Sequence, residues 1–117
     1  MQIAAGTSEI LKPRRFSKNM RNIYIGVARL GLHIPEARSL KEKRSHTRSL
    51  VDRLRSRHQV IVLETGHQNL HQRAEFVICA ISTDVVDVEA RLQRVSDTID
   101  RNWSGHILDW DVEVIQV

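Results

Sequence analysis

Two helix-period segments, each bracketed by runs that alternate every second residue, constrain this chain more tightly than anything in its composition. The first segment opens on Ser39-Leu40-Lys41-Glu42. A serine there accepts from the Glu42 N–H while the glutamate reaches back, a capping box that starts a helix. Leu40, Thr47, Leu50, Val51 and Leu54 then recur on one stripe, which predicts a helix to about Arg57. The second segment is capped by Asp84 and carries Val85, Val88, Leu92, Val95 and Ile99 at helical spacing. It ends near Trp103, with Gly105 just beyond as a stop.

The bracketing runs read as strands. Across Asn22 to Ile34, Ala28, Leu30, Leu32 and Ile34 share one face, while Ile25 and Val27 share the other before Arg29, Gly31 and His33 turn it polar. Pro35 cannot donate a ladder hydrogen bond and ends the run. Gln59 to Thr65 and Ala74 to Ser82, rich in Val and Ile, are separated by the polar stretch Gly66 to Arg73. The last run, His106 to Val117, alternates Leu108, Trp110, Val112 and Val114 against Asp109, Asp111 and Glu113. The order β-α-β-β-α-β predicts an α+β, ferredoxin-like fold: an antiparallel sheet with both helices on one face. A chain of 117 residues holds one such domain. It is expected over residues 20–117, with the aperiodic residues 1–19 as a tail.

The second and third strands are apolar on both faces, which a half-solvated sheet does not need. A second copy of the chain or the tail would cover the extra face, and a homodimer through the open sheet face is the expectation.

Charge is divided along the chain. Pro35 to His58 carries eight Lys/Arg against three Asp/Glu, and Thr83 to Val117 carries three Arg against eight Asp/Glu, within a net charge of +4. One basic half suggests an anionic partner at one place. At about 100° per residue, Lys41, Arg44, Arg48 and Arg55 fall along one flank of the first helix. Ser45, Ser49 and Ser56 lie outermost, short enough to let a polyanion approach. Arg38, Lys41, Lys43, Arg44, Arg48 and Arg55 are therefore the candidate nucleic-acid-binding residues. Lys41 and Arg44 are also placed to hold a phosphate together with the free N–H groups of the helix start. A solvated helix face is the plain alternative.

Other chemistry is poorly represented. No stretch approaches the roughly 20 apolar residues of a membrane span, so no membrane partner is expected. The one cysteine, Cys79, sits in an apolar strand and reads as an inert core thiol in a cytosolic protein. His67 and His71 have metal-like spacing, but Gln68 stands where a hydrolytic motif needs glutamate, and no metal is expected. Glu64, Glu75 and Arg73 could form an ion pair or a small acid/base site. Neither a phosphate loop nor a nucleophile elbow is present, so no cofactor and no enzymatic activity is expected.

The run Leu32-His33-Ile34-Pro35-Glu36-Ala37-Arg38-Ser39-Leu40-Lys41-Glu42-Lys43-Arg44, with Gly66-His67-Gln68 and Gln72-Arg73-Ala74-Glu75 downstream, resembles the YlxP-like family. These are small bacterial proteins of unassigned function, and the resemblance spans about Met20 to Val117. It implies a ferredoxin-like fold. It also implies a contact with ribosomal RNA or a ribosomal subunit, because genes of the family lie near those for translation initiation and ribosome-binding factors. It marks His67, Gln68, Gln72, Arg73 and Glu75 as a loop site of unknown role. The chain departs from the pattern at His71, where an aromatic residue such as tryptophan is expected, and in the stretch before Met20.

Overall fold

The structure, a computed structural model, describes residues 22–117; the tail read from residues 1–19 lies outside them. Six elements follow in the expected order: β1 (Tyr24–His33), α1 (Leu40–His58), β2 (Ile61–Gly66), β3 (Arg73–Ser82), α2 (Val85–Asn102) and β4 (His106–Gln116). The strands form one sheet in the order β2-β3-β1-β4, every neighbouring pair antiparallel. This is the ferredoxin-like α+β architecture. No described helix is long and apolar enough to cross a membrane.

Period-two patterning sorts the strands as read. Ala28, Leu30 and Leu32 of β1, with Ala74, Phe76, Ile78 and Ala80 of β3, are buried beneath the helices. Leu50 and Leu54 of α1 and Val88, Leu92, Val95 and Ile99 of α2 meet them in a single core. Gly26 lets α2 come close: a Cβ there would lie 2.5 Å from Val88 Cγ1 and 2.6 Å from Leu92 Cδ1. A larger residue would push the helix off the sheet.

The strand register lays out the other sheet face row by row. His33 lies between Arg73 and His106, Gly31 between Glu75 and Asp109, and Arg29 between Val77 and Asp111. Val27 follows between Cys79 and Glu113, and Ile25 between Ile81 and Ile115. Ile61 and Leu63 of β2 stand beside Cys79 and Val77. One half of this face is thus apolar, and the β4 edge is an acidic column of Asp109, Asp111 and Glu113. Cys79 belongs to this face and not to the core, because it alternates with the buried Ile78; partial burial still raises its thiol pKa.

Candidate phosphate-binding surface on the first helix

Local chemistry fixes where α1 begins. Ser39 Oγ accepts from the Glu42 N–H at 3.1 Å, and Glu42 Oε2 accepts from the Arg38 N–H at 2.6 Å. The glutamate thus reaches one residue further back than a standard capping box. Among the N–H groups of the helix start, that of Glu42 is thus taken by the protein's own Ser39 side chain.

Beyond that turn, the basic residues gather on one flank. Lys41, Arg44 and Arg48, with Ser45, Ser49 and Asp52, line a shallow depression of about 600 Å³. Arg44 and Arg48 also line a neighbouring cleft of about 360 Å³ between α1 and β2, together with Arg55, Val51, Val62 and Glu64. The two concavities share Arg44, Arg48 and Asp52 and form one continuous trough. All of Arg38, Lys41, Arg44, Arg48 and Arg55 are exposed. Among the described residues, Lys41, Arg44 and Arg48 have no carboxylate in ion-pair range, whereas Arg91 of α2 is held at 2.6 Å by Asp87. Arg55 is partly committed, since its Nη2 donates to the Val62 carbonyl of the β2 edge at 2.7 Å.

Lys43 does not join this group. It is 1% exposed, and its Nζ donates to the carbonyls of His67 at 2.6 Å and Leu70 at 2.7 Å, with Glu64 Oε2 at 3.7 Å. Burial lowers its pKa, only partly opposed by Glu64. A phosphate cannot reach it. Its role is to clasp the β2–β3 loop against α1. The signal was present in the chain: Lys43 falls between Leu40 and Thr47 on the stripe that continues to Leu50 and Leu54.

The clasp shapes the loop site. His67 adopts a left-handed conformation at φ 58°, and its carbonyl also accepts from the Leu70 N–H at 3.1 Å. Gln72 returns the chain, its carbonyl accepting from the Ile34 N–H at 2.9 Å and its amide lying 3.4 Å from the Pro35 and Ala37 carbonyls. His67, Gln68, Asn69, His71 and Arg73 are exposed. The acid/base site considered for Glu64, Glu75 and Arg73 is not assembled. Glu64 faces the helices and pairs with Lys43, whereas Glu75 faces the open side, where it pairs with Arg29 at 3.7 Å and accepts from Thr65 at 3.0 Å. Opposite faces of the sheet keep the two carboxylates apart. No group of three potential metal ligands occurs among the described residues.

Two polar pairs escaped the sequence because both are long-range. His33 and His106 stack with Nδ1 atoms 3.2 Å apart, and His58 Nε2 lies 2.8 Å from the buried Thr98 Oγ1. Burial, with help from Arg94, Arg57 and Arg101, lowers the His58 pKa.

The chain is similar in sequence to known proteins. Residues 25–112 match the family described as "Protein of unknown function (DUF503)". The chain is 40% identical over 76 residues to the uncharacterized protein YlxP of Bacillus subtilis, covering 65% of this chain and 83% of that one. A de novo designed protein, Foldit4, is similar with a TM-score of 0.47 and 14% identity, over 81% of this chain and 96% of its own. By the family match and by its identity to YlxP, the chain belongs to the YlxP-like family of proteins of unknown function.

Proposed function

We propose that this protein is a non-catalytic, cytosolic RNA-binding protein that contacts a ribosomal subunit or its RNA through the basic flank of α1. The observation that carries the reading is the trough in which Lys41, Arg44 and Arg48 stand exposed, with Asp52 and Glu64 in the same lining but no described carboxylate in ion-pair range of the three. Cations so placed displace counterions from a phosphate backbone, which supplies most sequence-independent affinity. Arg38 and Arg55 extend the flank at its two ends. Binding of the purified chain to small and large ribosomal subunits across a salt series tests this. Affinity for one subunit should fall steeply with salt, and reversing Lys41, Arg44 and Arg48 to Glu should weaken it and make the salt slope shallower.

A second reading is favoured by a separate observation on the opposite side of the molecule. Ile61, Leu63 and Ile81 are 69%, 61% and 56% exposed on the open face, contiguous with Val77, Cys79, Val27 and Ile25. A second copy of this chain fits that patch, because a two-fold can overlay the apolar halves while leaving both acidic columns at the rim. In that reading the protein is a homodimeric adaptor. The two surfaces do not overlap, so dimerisation is compatible with RNA binding.

A further inference from the structure

Granting the RNA reading, the structure also points to the form of the RNA. We infer that the target is double-helical and that the Gly66–Arg73 loop enters its minor groove while α1 holds the backbone.

The aromatic side chains argue against a single strand. Proteins that grip unpaired bases stack them on exposed rings. Among the described residues, Phe76 is 5% exposed at the floor of the cleft between α1 and β2, and Tyr24, Trp103 and Trp110 are half-buried against the core. The indole N–H of Trp103 is itself buried. The trough is lined by guanidinium, ammonium and hydroxyl groups, the carboxylates of Asp52 and Glu64, and the apolar Val51, Val62 and Phe76. Its cations suit phosphates.

The helix is a straight ruler. From Lys41 to Arg55 it advances about 21 Å, with Ser45 and Ser49 keeping its crest low. Charges fixed along a rigid line match phosphates fixed along a rigid duplex better than those of a pliable strand.

The loop adds what the helix lacks. Lys43 ties the His67 and Leu70 carbonyls to α1 one residue from Arg44, so the loop tip and the basic flank move as one body. The tip presents Gln68, Asn69 and His71 to solvent, and Gly66 to Arg73 contains no acidic residue. Neutral amides and imidazoles are the groups that pair with 2′-hydroxyls and base edges in the wide, shallow minor groove of A-form RNA.

The test is competition by fluorescence anisotropy with the full chain and three probes of one sequence: a 20-base-pair RNA duplex, its unpaired RNA strand, and the DNA duplex. RNA duplex should win over both others by about tenfold or more, the DNA lacking the 2′-hydroxyl. Gln68→Ala with His71→Ala should bring the RNA-to-DNA ratio towards one and leave the salt slope unchanged. Arg44→Ala with Arg48→Ala should reduce that slope by about two and leave the ratio. All four positions are exposed, so the variants keep the fold. Single-stranded RNA binding as well as the duplex, with the α1 slope intact, overturns the duplex inference and spares the RNA reading. Equal binding of the DNA duplex overturns the minor-groove contact. No binding of any probe at low salt removes both readings.

Discussion

Lys43 and Arg44 are neighbours in sequence with opposite fates, and the difference comes from one step of about 100° around a helix. The step puts Lys43 on the buried stripe, where its ammonium replaces water with two carbonyls and a carboxylate, and puts Arg44 in the trough. Counting basic residues cannot separate the two; reading each against the apolar stripe does. What no reading of the chain could supply is the partner, since the carbonyls of His67 and Leu70 arrive only when β2 and β3 fold back. Lys43→Met keeps the stem and deletes the donor, leaving those carbonyls unmade. Urea unfolding should show a loss of about 1–3 kcal/mol, with the salt slope of RNA binding unchanged. His58 makes a pH prediction. Its folded pKa lies below 6.5, so in that interval the unfolded chain binds a proton that the native state refuses. Stability should therefore fall as pH drops through 6.5 towards the folded value. His58→Gln should flatten the difference between unfolding free energies measured at pH 7.5 and 5.5.

At the scale of elements, periodicity located all four strands and both helices, with ends within about two residues, because local patterning and tertiary burial agree here. Ser39 and Asp84 were legible as caps for the same reason: both act on backbone within the next three residues. The acid/base reading of Glu64 and Glu75 failed because Glu64 pairs with Phe76 on the helix-covered face, whereas Glu75, one residue away, points to the open face. The β1–α2 packing is tighter than sequence suggests, and Gly26 is the reason. Gly26→Ala should cost about 1–3 kcal/mol through overpacking, read as a lowered urea midpoint. A midpoint equal to that of the natural chain would mean that α2 shifts without penalty.

The whole molecule has two unlike sides. The helical side carries the basic flank, and the open sheet side carries an apolar half beside an acidic column. The chain announced both, the first as a charge division and the second as strands apolar on each face. The occupants of these surfaces are not written in it, because complementarity lies half in the partner. For the sheet side, sedimentation equilibrium should show a dimer that Leu63→Glu returns to monomer, since a charge would be buried without a partner. A natural chain that stays monomeric at tens of micromolar would end the dimer reading and leave the helix side untouched.

The proposed RNA contact of the α1 flank is tested by the salt dependence of binding to isolated ribosomal subunits. Binding to one subunit is expected, with a steep slope of log affinity against log salt. Reversal of Lys41, Arg44 and Arg48 should remove about three phosphate contacts from that slope. Binding and slope that survive the reversal, or no binding to either subunit at low salt, would contradict it.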